Sequence, residues 1–229
     1  MQSTSKIITV FVLFLSISTL IFAQSETTEK NMLPYKFSIE AGFGSNSLIG
    51  KQNLSPWGAE YRKNYDHAIT SYLRANYLFS DRTSLGLMAN SMVAFGNYAL
   101  NTGETIIENI TTYYIAPQLG FYYPISKRLV TNYNAGFGYL YYQSNGLMDG
   151  TTEYTIHSHL PGVNADVSLE YFPRKNMSVG GSLSAFSAFD TKKQHRKIGG
   201  ASKETITTNK WDVINISNIG LNFYVKLYF

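Results

Sequence analysis

Few residues of this 229-residue chain are of types and spacings that could do chemistry, and three of them lie together. His157, Ser158 and His159 lie near Glu153, and a serine activated by a histidine that an acid orients is a hydrolase arrangement. On a strand, however, His157 and Ser158 point to opposite faces. His157 and His159 share a face and could hold a metal, but no third ligand is evident. We therefore expect no catalytic residue and no metal site, and interpret the segment as a polar surface patch.

A second group consists of charged residues on otherwise polar strand faces. If the first and last strands pair, Glu40 comes near Lys226, and the second strand brings Arg74 to the same place. We therefore predict a Glu40–Arg74–Lys226 cluster, with Asp166 and Glu170 as partners across the interior. Such a cluster either fixes strand register as a satisfied polar core, because a buried unpaired charge is costly, or belongs to an ion-conducting path. Acid/base catalysis is disfavoured because a filled interior has no room for substrate.

The third group is a basic run. Its candidate phosphate-binding residues are Lys192, Lys193, Arg196 and Lys197. They either clamp lipopolysaccharide phosphates or lie in a solvated, mobile loop. The net charge of +4 is too small and too dispersed to predict a nucleic-acid partner. No nucleotide-binding glycine motif is present, so no cofactor is expected, and the glycines at 42, 44, 136 and 138 are interpreted as relieving interior crowding.

The elements that must position these groups follow from apolar residues that recur at every second position. Charged residues make up 15% of the chain, against about 25% in soluble proteins, and aromatic residues another 15%. The pattern predicts an all-β fold, an eight-stranded antiparallel up-and-down transmembrane β-barrel with its apolar face outward. The alternative is a soluble lipocalin-like barrel with the apolar face inside. The predicted strands cover about 37–43, 69–79, 85–95, 113–123, 129–141, 163–171, 177–185 and 219–229.

A repeated pattern of aromatic residue, polar turn and new strand predicts the connections. Short turns are expected near positions 81, 127 and 175, and long loops over 45–67, 97–110, 144–156 and 190–212. Trp57, Tyr61 and Tyr65 in the first loop form either a ligand-binding surface or an aromatic belt. Pro117 and Pro161 fall inside strands, so we predict a bulge or twisted register at each.

The N-terminal segment has the three regions of a secretory signal peptide. An apolar run from 7 to 22 follows Lys6 and ends at Ala23, and it is short for a membrane-spanning helix of about 20 residues. We predict a signal peptide over 1–23 that is cleaved near Ala23, a short periplasmic segment over 24–35, and a barrel over 36–229. A retained anchor is the alternative.

With these features in place, the chain resembles the outer-membrane β-barrel domain family common in Bacteroidota, and is similar to the small OmpX-like and OmpA-type barrels. Segments 117–123 and 161–163, the turns and the last strand carry the resemblance. The alternating Phe223, Val225, Leu227 and Phe229 resemble the insertion signal that the barrel-assembly machinery reads.

The resemblance implies a monomer in the bacterial outer membrane, in contact with its lipid and lipopolysaccharide. It implies a non-enzymatic role in envelope structure, or in surface interaction through extracellular loops. The alternatives are a narrow or gated channel, as in the porin family, and a lipid A-modifying hydrolase that would use the histidines at 157 and 159.

Overall fold

The structure, a computed structural model, describes residues 35–48, 67–80, 82–99, 105–188, 193–201, 204–207 and 216–229. The predicted signal peptide, the first-loop aromatic residues and Lys192 lie outside these ranges. No helix in the described ranges is long and apolar enough to cross a membrane. The strands are β1 Phe37–Leu48, β2 His67–Leu78, β3 Thr83–Ala99, β4 Thr105–Ser126, β5 Leu129–Met148, β6 Thr152–Arg174, β7 Met177–Ala188, β8 Lys193–Ile198, β9 Glu204–Thr207 and β10 Ile216–Tyr228.

Eight of these strands close into a ring, which confirms the predicted antiparallel barrel. Each of β1 to β6 pairs with the next, β7 pairs with β10, and β10 pairs with β1. A path through paired residues that starts at Ser38 passes around all eight strands and returns to β1 at Leu48, ten residues further along. Ten residues of stagger over eight strands correspond to a strand tilt of roughly 40°.

The two faces of the barrel differ as the alternation predicts. The large side chains of the outer face are apolar and exposed, and the charged side chains at 40, 74, 166, 170 and 226 are buried inside. Because a barrel in lipid needs an apolar exterior and has no unpaired edge, this distribution suits a membrane and not a soluble lipocalin-like barrel. Exposed apolar residues include Phe43, Ile69, Leu73, Leu85, Phe95, Ile115, Leu119, Phe137, Leu169, Leu183, Leu221 and the C-terminal set Phe223, Val225, Leu227 and Phe229.

Short turns lie at one end of the barrel, but the other end is built differently from the prediction. Strands β4, β5 and β6 are 20 to 23 residues long, and β5 and β6 meet in a turn at 149–151. The predicted long loops over 97–110 and 144–156 are therefore wrong, because most of these residues extend the sheet. The described part of the fourth loop is also sheet, since β8 pairs with β6 and with β9.

The polarity of the two strand faces inverts where this extension begins. On β6, the outward residues change from apolar to His159, His157 and Thr155, whereas the inward residues become Leu160 and Ile156. An outer face that meets water instead of lipid must turn its apolar residues inward, as a soluble sheet does. The inversion therefore marks the level at which the barrel leaves the membrane. Alternation with apolar residues outward stops at this level, so it predicts strands that are shorter than those in the structure.

The prediction of a bulge at Pro117 and Pro161 is also wrong. Pro161 pairs with Tyr139 in an unshifted register, and the β7 ladder on its other side begins one residue later, at Gly162. Pro117 pairs with Leu87 on β3. On its other side, residues 116 and 117 of β4 have no partner on β5, but the pairing of β4 with β5 resumes beyond them in the same register. Each proline thus lies beside a local break in one ladder, where a missing N–H donor is tolerated. The register shifts lie at the turns, beside Pro124 and Pro173.

Candidate functional site: the filled lumen

Register alone brings the first three charged residues together. Glu40 pairs with Lys226 on β10 and with Arg74 on β2, and all three side chains point inward. Arg74 Nη1 lies 3.2 Å from Glu40 Oε1, and Lys226 Nζ lies 3.4 Å from Glu40 Oε2. Glu40 therefore bridges the two cations.

The two remaining carboxylates reach the same network from β6, which lies opposite β2 in the ring. Arg74 Nη2 donates to Asp166 Oδ2 at 2.6 Å, and Lys226 Nζ donates to Glu170 Oε1 at 2.9 Å. The structure thus places all five predicted residues in one network that spans the lumen. It holds two cations against three carboxylates, and all five residues are buried.

Neutral side chains complete the shell around the carboxylates. Asn134 Nδ2 donates to Asp166 at 2.9 Å, and Tyr228 donates its hydroxyl to Glu170 at 2.6 Å. Ser178 also donates to Glu170, at 3.0 Å, and Lys226 donates to the Tyr122 hydroxyl at 3.0 Å. A buried carboxylate that accepts several such hydrogen bonds is compensated for the loss of water. Asp166 and Glu170 are compensated in this way, whereas the buried Arg74 Nε has no hydrogen-bond partner in the described part of the chain. The network is therefore a mostly paired structural core.

An apolar layer, which sequence reasoning missed, fills the lumen beyond this network on the side of the long strands. The layer contacts the network where Arg74 Nη2 lies 3.6 Å from Met88 Sδ, and a cavity of about 50 Å³ beside this contact is lined by Arg74, Asp166 and members of the layer. The signal was present in the sequence, because Met88, Tyr114 and Leu140 occupy inward positions of predicted strands, whereas Ile110 falls in a predicted loop. The layer consists of Ala68, Met88, Met92, Ala94, Ile110, Tyr114, Ala116, Leu140, Tyr142, Leu160, Ala188 and Ile216, with Phe186 packed against it.

The histidine segment places its serine and its two histidines on opposite faces of β6. Ser158 is buried on the inner face, whereas His157 and His159 lie on the outer face, so a lipid at the outer surface cannot reach the Ser158 hydroxyl. The structure adds a third histidine that the sequence did not suggest, because β8 places His195 opposite His157, with ring centroids 5.0 Å apart. Within the described ranges, no group of three metal-ligating side chains is arranged to hold a metal ion.

The basic run is part of a strand and not a mobile loop in its described portion. Lys193, Arg196 and Lys197 belong to β8, and the Lys197 side chain is exposed. Lys192 lies outside the described ranges. Within the described side chains of the run, Lys197 therefore lies on the surface and apart from the buried lumen network.

A closed ring of eight tilted strands, apolar outside and filled with side chains inside, defines a small membrane-spanning β-barrel. No protein-family model and no curated protein matches the sequence. Comparison with solved structures gives 67 matching chains, among them three outer-membrane proteins.

A major outer membrane protein from Thermus thermophilus matches with a TM-score of 0.59 and 16% identity, over 85% of this chain and 99% of that one. Neisserial surface protein A matches with a TM-score of 0.51 and 10% identity, over 84% of this chain and 97% of that one. OprG from Pseudomonas aeruginosa matches with a TM-score of 0.51 and 12% identity, over 83% of this chain and 95% of that one. At these identities the likeness is one of fold.

Proposed function

We propose that this chain is a non-enzymatic, monomeric integral protein of the bacterial outer membrane, which acts in envelope structure and in interactions at the cell surface. Its export would depend on the signal peptide over 1–23. The turn repeats and the last strand favour membership of the Bacteroidota barrel family. The observation that carries the proposal is a barrel that is apolar outside and closed inside by two successive layers of side chains.

The filled lumen argues against transport as the main activity. An ion would have to pass the buried network and then the apolar layer, of which Met92, Leu140 and Ile216 are almost fully buried members. The first barrier is charged and the second is apolar, so an ion would meet two successive barriers of different chemistry. This disfavours the narrow or gated channel.

The outer wall formed by β4, β5 and β6 supports a role at the surface. A strand of 22 residues tilted by roughly 40° rises about 55 Å, about twice the height of the apolar band of a typical outer-membrane barrel. About half of the wall would therefore stand outside the membrane. A hydrogen-bonded sheet holds its side chains in fixed positions, which suits a binding surface better than a flexible loop does.

A first test is the electrophoretic mobility of the outer-membrane fraction in SDS. Because the ring is closed by hydrogen bonds on every strand, we expect the unheated protein to migrate as a compact species and the boiled protein at its mature size. N-terminal sequencing of the same band should begin near Gln24. Recovery of the protein from the soluble periplasm, with no heat-dependent shift, would contradict membrane insertion.

A second test is the conductance of the purified barrel in planar bilayers. The variant Arg74→Met/Asp166→Asn removes the ion pairs that Arg74 makes with Asp166 and with Glu40, takes away one charge of each sign, and leaves Glu40 in contact with Lys226. We expect no steady conductance from the wild type and none from the variant, because the apolar layer is intact in both. A stable single-channel current that rises in a heat-modifiable variant would favour the channel instead.

A further inference from the structure

A groove lies on the lipid-facing surface between β1 and β5. Small side chains, among them Ala41, Ser71, Ala89 and Ser91, form its floor, and rings on β4 and β5 form its wall. Its volume is about 620 Å³. The floor residues occupy the positions at which neighbouring parts of the outer surface carry Leu, Ile and Phe, so the depression arises from residue size.

The groove follows a row of paired residues that slopes through the membrane. Ala41, Leu73, Ala89, Ile115 and Tyr139 are successive register partners on β1 to β5. Ala41 lies four residues from the short-turn end of β1, whereas Tyr139 lies ten residues from that end of β5. Four strand spacings of about 4.8 Å, at a strand tilt of roughly 40°, make this row descend about 12 Å from β5 to β1. This is about the depth of one leaflet of a bilayer core of about 30 Å.

Polar rings cap the upper end of this groove. The Tyr139 hydroxyl contacts Nδ1 of His159, and the Tyr141 ring lies 5.3 Å from the His159 ring. The ring centroids of His157 and His159 are 6.4 Å apart, and the His157 ring also lies next to the ring of His195. These residues lie where the outward face changes from apolar to polar, which is the level of the outer lipid headgroups.

The cap offers hydrogen-bond donors of the kind that bind phosphate. Nδ1 of His159 and Nδ1 of His195 are engaged by Tyr139 and Thr205, so Nε2 is the nitrogen through which each would donate to a ligand. Lys197, two residues from His195 on β8, adds an exposed ammonium group. Glu153 is the exposed carboxylate on the outward face of β6, six residues from His159 and on the side away from the groove.

We propose that the groove and its cap form a binding site for a phosphorylated lipid of the outer leaflet. One acyl chain lies along the small-residue floor, and the phosphate lies against His157, His159 and His195, with Lys197 at the rim. The lengths agree, since a chain that starts at the headgroup level and descends one leaflet ends near Ala41. This inference rests on the proposed membrane location and makes it more specific, because it names the class of lipid and the site.

Native mass spectrometry of the heat-modifiable barrel in detergent tests the site. The probes are bisphosphorylated lipid A, the same lipid without phosphates, and inorganic phosphate. We expect the phosphorylated lipid to bind roughly tenfold more tightly than the dephosphorylated one, and His157→Ala/His159→Ala to remove that preference. Asn109→Ala, an exposed polar residue on the outer wall, is the matched control and should retain it.

The groove is tested separately by Ala89→Phe, which fills its floor with a ring that faces lipid. We expect this change to weaken the binding of both lipids by a similar factor. Val179→Phe lies on the outer face of β7, away from the groove, and should not change the affinity for either lipid. Equal binding of both lipids by the wild type and the histidine variant would overturn the proposal. So would competition by millimolar inorganic phosphate together with no effect of Ala89→Phe, which would indicate a site for free phosphate.

The proposed location can fail independently of the lipid site. A wild-type chain that shows no heat-modifiable form would refute the membrane location and the lipid site together. A heat-modifiable chain without lipid preference would refute the lipid site alone.

Discussion

Replacement of Lys226 by methionine is expected to lower the free energy of unfolding of the barrel by about 3–5 kcal/mol, the usual cost of breaking a buried ion pair from one side. Lys226 is fully buried, and its ammonium group lies within ion-pair distance of both Glu170 and Glu40. Methionine fills a similar volume, so the effect reports the charge and not a cavity. Urea unfolding in lipid vesicles, followed by tryptophan fluorescence, gives the change in midpoint.

Two further variants identify the cause of that loss. Glu170→Gln added to Lys226→Met removes the stranded carboxylate, while Glu40 keeps its contact with Arg74, so the double variant should regain at least half of the lost stability. Lys175→Met, in an exposed turn, makes the same chemical change where no burial is involved, and should alter stability by less than about 0.5 kcal/mol. Equal midpoints for Lys226→Met and Lys175→Met would show that the network contributes nothing.

The lumen network was predictable because it follows from closure of the barrel. Period-two alternation places Glu40, Arg74 and Lys226 inside, and pairing of the first with the last strand fixes their neighbours. The contacts of Arg74 with Asp166 and of Lys226 with Glu170 were harder to predict from the sequence. Contacts across a lumen depend on the shear of the barrel and not on the pairing of neighbouring strands. The structure supplies that shear as the stagger of the closed ring.

The outer half of the molecule was not predictable by the same rule, because the rule assumes lipid outside. Above the membrane the solvent changes, and the apolar residues move to the other face of the same strand. Ile106, Ile110 and Ile156 point inward there, so a pattern of outward apolar residues predicts loops at these positions. The histidine cap depends on β8 folding back onto β6, a long-range pairing that no local pattern specifies.

Gly138→Ala is expected to destabilise the barrel by at least about 1–3 kcal/mol and to lower the yield of heat-modifiable protein. A Cβ at Gly138 would overlap the Ile115 carbonyl oxygen and the Ala116 backbone on β4, where the neighbouring ladder lacks pairs at 116–117. Gly136 faces the Pro117 carbonyl oxygen in the same way. Two inward glycines thus let β5 approach the part of β4 that carries the proline, and this agrees with the prediction that they relieve interior crowding.

Gly181→Ala is the matched control, since a Cβ at that position would lie 3.6 Å from its nearest neighbour, the Asn222 carbonyl oxygen. There the substitution removes freedom from the unfolded chain without a clash, so stability should be unchanged or rise by about 0.4–1 kcal/mol. The two variants differ only in what surrounds the added methyl group, and urea midpoints measured side by side give the difference directly. If Gly138→Ala tolerated the methyl group as well as Gly181→Ala does, β4 and β5 could separate at Pro117. The proline would then be accommodated by looseness of the barrel wall and not by close packing of small residues.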